Sequence, residues 1–354
     1  MIDFKKNLEE LLLLTAQEGA SDLHLSPGVR PTLRINSKLV PLTQREILDP
    51  EALTGLVGAL INDPARIEAF KKERELDFSY VLNGARFRVN VYHTNGIPAA
   101  TCRYIPTKIR TLEELNIPAV VKTFSRLSQG FVLVVGPTGH GKSTTLAAII
   151  DLINKERAEK VVTIEDPIEY IFTNEKSIID QREVGSDTDS FQHAIRSAFR
   201  ENINVLLVGE LRDHETMSAA VTAAETGHLV LTSIHTNSAA QTIERIVDTF
   251  PPSQQNQIIA QLANTLSGVV SQRLIPGLNG GLVPAVEVMF GNTAIRNLIR
   301  EHKFHQINLA IETGQDDGMI SLNRSLADLV HQKLISLEQA KFYSLNPKEL
   351  DRLI

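Results

Sequence analysis

The chain has 354 residues, 42% of them apolar, and carries 36 Lys and Arg against 42 Asp and Glu, a formal net charge of −6. That length accommodates two folded domains, and that charge argues against a nucleic-acid partner, whose phosphates require Lys and Arg concentrated on one face. A single cysteine, Cys102, excludes an intrachain disulfide and a cysteine-based zinc site, and the apolar run 11–14, flanked by Glu9, Glu10 and Glu18, is far shorter than the roughly 18 residues of a membrane span.

Phe4, Leu8, Leu11, Leu12 and Thr15 follow helical spacing, with Gly19 placed to end the helix. Alternation takes over in Asp22-Leu23-His24-Leu25, continues in Thr32-Leu33-Arg34-Ile35, and returns in 86–91. There Phe87, Val89 and Val91 share one face, and Arg86, Arg88 and Asn90 the other. An α/β domain is therefore expected over 1–105. The stretch 106–118 carries prolines without strand alternation and reads as a connector. From residue 119 to 290, short apolar runs at 131–135, 161–165, 205–208 and 229–234 alternate with helical patterns, the signature of a mainly parallel sheet covered by helices. Between them Phe191, Ala194, Ile195, Ala198 and Phe199 repeat on one helical face, and Asp213 is placed to cap a helix that Gly227 ends. Over 291–354 strand signals fade into a small helical appendage, in which Ser336 and Gln339 form a capping box.

The chemistry is concentrated after the run 131–135. Gly136-Pro137-Thr138-Gly139-His140-Gly141-Lys142-Ser143 fits G-x-x-x-x-G-K-S between a strand and a helix, with Thr144 following. Glycines let backbone N–H groups turn inward around a phosphate, Lys142 brings a point charge to the β/γ oxygens, and Ser143 offers a hydroxyl to Mg²⁺. The helix beyond it directs its positive end at the same anion. ATP and Mg are the expected ligands.

Ligands of such a sheet gather at the carboxyl ends of its strands, so acids closing those strands are candidates. The run 161–164 leads into Glu165, Asp166 and Glu169; the run 205–208 leads through Gly209, where an Asp is usual, to Glu210. Glu210, with Ser143, is assigned to Mg²⁺ and its water shell and Glu169 to water activation, the exchange of the two roles remaining open. His228 and His235 bracket one strand. Seven residues separate them by roughly 23 Å on opposite faces, so they cannot share an ion. His235, at the carboxyl end, is placed to sense the γ-phosphate, while His228 is at the far end.

These motifs together resemble the secretion-type ATPases, and among them the type IV pilus retraction ATPases, over nearly the whole chain. The resemblance rests on the phosphate loop, the acidic box Thr163-Ile164-Glu165-Asp166-Pro167-Ile168-Glu169-Tyr170, the segment 207–213, and the histidine box from Thr226 to Thr236. It implies a PAS-like N-terminal domain, opened by Ser21-Asp22-Leu23-His24-Leu25, and a RecA-like ATPase domain. Arginines from the N-terminal domain would reach the phosphates, and Arg86, Arg88 and Arg103 match their positions. It further implies a cytoplasmic homohexamer, peripheral to the inner membrane at the pilus base, working on a membrane platform protein of the pilus machinery. Ala294-Ile295-Arg296-Asn297-Leu298-Ile299-Arg300-Glu301 matches the signature tied to retraction. His140 stands where Ser is usual, and an imidazole there is expected to change charge near neutrality.

Two alternatives differ in kind. Pilus extension and type II secretion ATPases typically carry a further N-terminal domain and a four-cysteine zinc motif, which this sequence does not display. A RecA-like nucleic-acid translocase would need a basic channel with stacking aromatics, and the chain has 5% aromatic residues and no Trp.

Overall fold

A computed structural model describes residues 3–35, 38–105 and 108–354. The chain divides into two compact units, Met1–Lys108 with Glu169–Ile171, and Ile109–Ile168 with Phe172–Ile354. Residues 106 and 107 of the expected connector lie outside the described residues. From Ile109 on, the expected connector belongs to the second unit, where Leu112 and Ile117 are buried.

In the first unit α1 (Phe4–Gln17) is started by Asp3, whose carboxylate accepts from the Lys6 N–H at 3.0 Å, and it buries Leu8, Leu11, Leu12 and Thr15. The chain then turns at Gly19, φ +63°, a conformation that costs glycine least. Strands β1 (Asp22–Leu25), β2 (Thr32–Ile35) and β3 (Lys38–Pro41) precede α2 (Pro50–Ile61) and α3 (Pro64–Glu73), each with an Asp cap and a proline in its first turn. Strands β4 (Glu75–Leu82), β5 (Ala85–Thr94) and β6 (Ile97–Ile105) complete an antiparallel sheet ordered β3-β2-β1-β6-β5-β4. Phe87, Val89 and Val91 are fully buried and share a core with Leu23, Leu25, α1 and α2. Cys102 lies in that core, and burial, then the nearby Asp22 charge, pushes its thiol up to about 12; it is a packing residue.

Cross-strand register sets a charged row on this sheet. Arg34, Asp22, Arg103 and Arg88 are successive neighbours across β2, β1, β6 and β5. Asp22 is 3% exposed and accepts from Arg103 Nε at 2.9 Å, with Arg34 Nε 3.7 Å away, so the buried carboxylate is offset by guanidinium on both sides.

The second unit is built on a seven-stranded sheet. In chain order its elements are β7 (Gly130–Val135), α4 (Lys142–Glu156), β8 (Lys160–Glu165), β9 (Ile178–Glu183), α5 (Phe191–Ala198), β10 (Val205–Val208), α6 (His214–Glu225), β11 (Leu229–Ile234), α7 (Ala239–Thr249), α8 (Pro252–Thr265), β12 (Leu266–Pro276) and β13 (Leu282–Phe290). The strand order is β13-β12-β7-β11-β10-β8-β9, parallel throughout except for β13. Strands β7, β10 and β11 are buried at every position, which explains their continuous apolar sequence: both faces of a parallel sheet are covered. Each fully buried Leu, Ile or Val in this core contributes on the order of 2 kcal/mol.

The tail comprises α9 (Thr293–Arg300), α10 (Ile307–Thr313), α11 (Leu322–His331), α12 (Leu337–Tyr343) and α13 (Pro347–Leu353). Ser336 and Gln339 form the reciprocal capping box at the start of α12. Among the described residues no helix is long and apolar enough to cross a membrane.

Candidate nucleotide site

Strand order brings the carboxyl ends of β8, β10, β11, β7 and β12 side by side. The phosphate loop leaves β7 and enters α4, a 15-residue helix whose N-cap is Gly141. The loop backbone is one that side chains would block. Gly136 has φ +149°, and a Cβ there would lie 2.3 Å from the Gln272 carbonyl oxygen; Gly139 and Gly141 have φ +78° and +80°. The result is an anion cradle at the start of a helix, with Ser143 exposed on the first turn. A nucleotide's phosphates fit this loop on the chemistry of its amides and of Lys142.

Lys142 is buried, and its ammonium donates to the carbonyl oxygens of Gly136 at 3.0 Å and Pro137 at 2.9 Å. It also stands 3.2 Å from His235 Nδ1, with Thr138 Oγ1 at 3.3 Å from the same nitrogen. Because a lysine ammonium only donates, Nδ1 accepts, which leaves Nε2–H to donate to Glu210 Oε2 at 3.2 Å. His235 thus links the loop lysine to the acid that closes β10. Burial works to raise the Glu210 carboxyl, but hydrogen bonding and charge from Arg212, and then from His235, outweigh it and hold the group below its ordinary value. Arg212 pairs with Glu210 and lies 3.9 Å from Asp166, so one guanidinium spans the ends of two strands. Glu165 is 8% exposed and accepts from Thr163 Oγ1 at 2.7 Å.

Sequence reasoning missed the contribution of β12. Buried Gln272 accepts from Thr145 Oγ1 at 2.7 Å and donates to the His140 carbonyl at 2.9 Å, which fixes the loop to the sheet. Leu274 N–H donates to His140 Nδ1 at 2.8 Å. Burial, then the charges of Arg273 and Lys142, lowers the His140 pKa, which moves the charge change expected of this imidazole to lower pH, while its Nδ1 ties the loop to β12. The available signal was the polar Ser271-Gln272-Arg273 interrupting an apolar strand. Beside the loop a cavity of about 410 Å³ is lined by Arg110, Leu115, Thr144, Gln272, Leu274 and Pro284 among others.

The remaining expected site residues fall elsewhere. Glu169 groups with the first unit. In the first unit Arg103 is engaged by Asp22, and Arg86 Nη2 donates to Ser79 Oγ at 2.8 Å. Arg88 has no hydrogen-bond or ion-pair partner among the described residues. His228 precedes β11 at the opposite end from His235 and meets the Ala223 carbonyl at 2.9 Å, a contact that closes α6. The segment from Ala294 to Glu301 covers α9, with Ile295 and Ile299 fully buried and Leu298 packed partly against the same core. Arg296 Nε donates to the Gly291 carbonyl at 2.7 Å. Exposed Arg300 reaches Asn264 Oδ1 at 3.1 Å and Asn297 Oδ1 at 3.0 Å.

Comparison with known proteins gives concordant matches. Residues 75–315 match the family model described as type II/IV secretion system protein. The chain is 46% identical to the type IV pilus retraction ATPase PilT of Pseudomonas aeruginosa, over 95% of this chain and 97% of that protein. It is 36% identical to the type IV pilus ATPase PilU of the same organism, over 98% and 91%. A crystal structure of the pilus retraction motor PilT with bound ADP superposes with a TM-score of 0.91 at 42% identity, covering 97% of this chain and 98% of that one.

Proposed function

Since this chain belongs to the type II/IV secretion system protein family and is an ATPase of it, we propose that it is a motor coupling ATP hydrolysis to type IV pilus retraction. The observation that carries the reading is the match to a retraction ATPase along almost the full length of both chains. The lower identity to PilU favours the main retraction motor over that second pilus ATPase.

At the nucleotide, the amides of 137–143 and the α4 N-terminus bind the phosphates, and Lys142 sets its charge on the β/γ oxygens. Ser143 and Glu210 would hold Mg²⁺, which supplies neutralisation of charge on the γ-phosphoryl group. His235 orients Glu210 and reads the γ-phosphate; Glu169 is assigned to activating water. The output is movement of the first unit against the second as arginines gain and lose a shared anion. The working assembly is a homohexamer in the cytoplasm, at the inner-membrane face of the pilus base, acting on a platform protein.

Of the three arginines, Arg88 is the one without a competing partner, so Arg88→Ala is expected to depress hydrolysis more than Arg86→Ala or Arg103→Ala. Equal losses in all three, measured as phosphate release by the assembled protein, would count against a phosphate role specific to Arg88.

Retraction itself is tested at α9. Arg296→Ala and Arg300→Ala are expected to keep ATP hydrolysis within about twofold of wild type, because among the described residues their side chains bond to 291, 264 and 297, outside the nucleotide cluster. Twitching of cells carrying either variant is expected to be lost. Parallel loss of hydrolysis and motility would make α9 a packing element and remove its link to retraction.

A further inference from the structure

His235 is joined to α7 by Thr236, Asn237 and Ser238, and each of these residues is held from a different side. Thr236, 4% exposed, shares a hydrogen bond with Thr242 Oγ1 at 2.7 Å. The Asn237 carbonyl accepts from Ser271 Oγ at 3.2 Å, with Arg273 Nη2 at 3.5 Å. Ser238 caps α7 by accepting from the Gln241 N–H. The next N–H, that of Ala239, donates to Glu287 Oε1 at 2.7 Å.

Glu287 is on β13, directly opposite Ser271 of β12, and is 6% exposed. A carboxylate at such a position is expensive, because a neutral acceptor would satisfy a single N–H without burying charge. What the negative charge adds is attraction to the Arg273 guanidinium on β12 and to the N-terminal end of the 11-residue α7. Both of these flank the loop that ends at His235. Arg273 also donates to the Tyr343 carbonyl at 3.1 Å, so it cannot drift from this position without releasing α12.

We propose that Glu287 is a positioning residue for ATP hydrolysis: with Arg273 and Ser271 it clamps 237–239 onto β12 and β13, and so keeps His235 within hydrogen-bond range of Lys142 and Glu210. The proposal rests on the reading that His235 serves the γ-phosphate. Two facts make the clamp responsive to protons. Burial pushes the Glu287 carboxyl up to about 7, against the pull of the Ala239 hydrogen bond and Arg273. A protonated carboxyl no longer attracts Arg273 or the helix end, so the hold on the loop weakens as pH falls through that value. The ionisable groups the loop serves are His235 and, through it, Lys142 and Glu210.

The test is steady-state hydrolysis of magnesium ATP by the full chain carrying Glu287→Ala, Glu287→Gln, His235→Ala, and the double variant His235→Ala/Glu287→Ala, each between pH 6 and 8.5. Glu287→Ala is expected to lower kcat about tenfold with KM for ATP within about threefold, since misplacing a group at the γ-phosphate acts on the transition state. Glu287→Gln keeps an acceptor for the Ala239 N–H and the side-chain volume; it is expected to hold kcat at pH 7 within about threefold and to lack the inflection near pH 7 that is expected of the wild-type profile. In the His235→Ala background, Glu287→Ala is expected to cost less than about twofold more, because the residue it positions is gone. A full tenfold loss in that background, or a Glu287→Gln profile identical in shape to wild type, would overturn the positioning role. Wild-type hydrolysis by His235→Ala would instead overturn the reading of His235 itself, and the proposal with it.

Discussion

Lys142→Ala is expected to abolish ATP hydrolysis, measured as phosphate release from magnesium ATP, with little change in thermal stability. The side chain is buried in its own loop, where its ammonium touches the Gly136 and Pro137 carbonyls and His235. Its removal takes away the charge meant for the β/γ oxygens and also the donor that fixes which nitrogen of His235 accepts. Two consequences then coincide at one position: weaker nucleotide binding and an imidazole free to change tautomer. The core around the loop includes Phe131, Leu133 and Val135 of β7 and Val230 and Ile234 of β11, with Leu146, Ile149 and Ile150 of α4 also buried, and this substitution removes none of them, so a protein that still melts cooperatively is expected. Hydrolysis at the wild-type rate would remove Lys142 from the phosphate site.

Glu210→Gln is expected to bind ATP within about threefold of wild type and to hydrolyse it about a thousandfold more slowly, the scale at which a group acting on transition-state charge is felt. Gln matches Glu in size but keeps a single acceptor oxygen, so it holds one of the two donors, Arg212 or His235, that the two carboxylate oxygens of Glu210 accept from, while the charge is lost. The sign of the pH dependence follows from the same environment. Arg212 and His235 together keep the Glu210 carboxyl ionised below its ordinary range, despite burial. Activity lost through protonation of Glu210 therefore belongs below that range, and an acid limb nearer neutrality belongs to another group. Undiminished hydrolysis by Glu210→Gln would remove the acid from the site.

The nucleotide loop was legible in sequence because every device in it is local. A glycine-rich turn, a lysine and a hydroxyl occupy consecutive positions after a buried strand, and nothing distant is needed to see them. Helix starts were legible for the same reason: Asp213 caps α6 and Ser336 with Gln339 caps α12 within four residues of chain. Strands β7, β10 and β11 announced themselves because both faces are buried and the sequence is apolar throughout. The pair β12 and β13 did not. Ser271, Gln272, Arg273 and Glu287 break its apolar pattern, and they do so because they serve the loop and α7.

The arginines mark the same limit from the other side. Arg86, Arg88 and Arg103 look equivalent along the chain, each on a strand face with polar neighbours. Register makes them different. Arg103 faces Asp22 across β1, Arg86 reaches Ser79 on β4, and Arg88 is left among strands with no carboxylate opposite it. His140 read in sequence as a group able to titrate beside phosphates; β12 adds an N–H that its Nδ1 accepts, and burial lowers its pKa.

What the amino-acid order determined unaided is the phosphate cradle, the caps, the alternation of apolar strands with helices, and the family to which these motifs point. Which acid meets which histidine, which arginine is engaged, and what holds the loop behind His235 were decided only when strands distant in sequence were laid side by side. The physical reason is that helix caps and turns are closed by hydrogen bonds a few residues long, whereas neighbours in a sheet are set by strand order and register, and these depend on how the whole core packs.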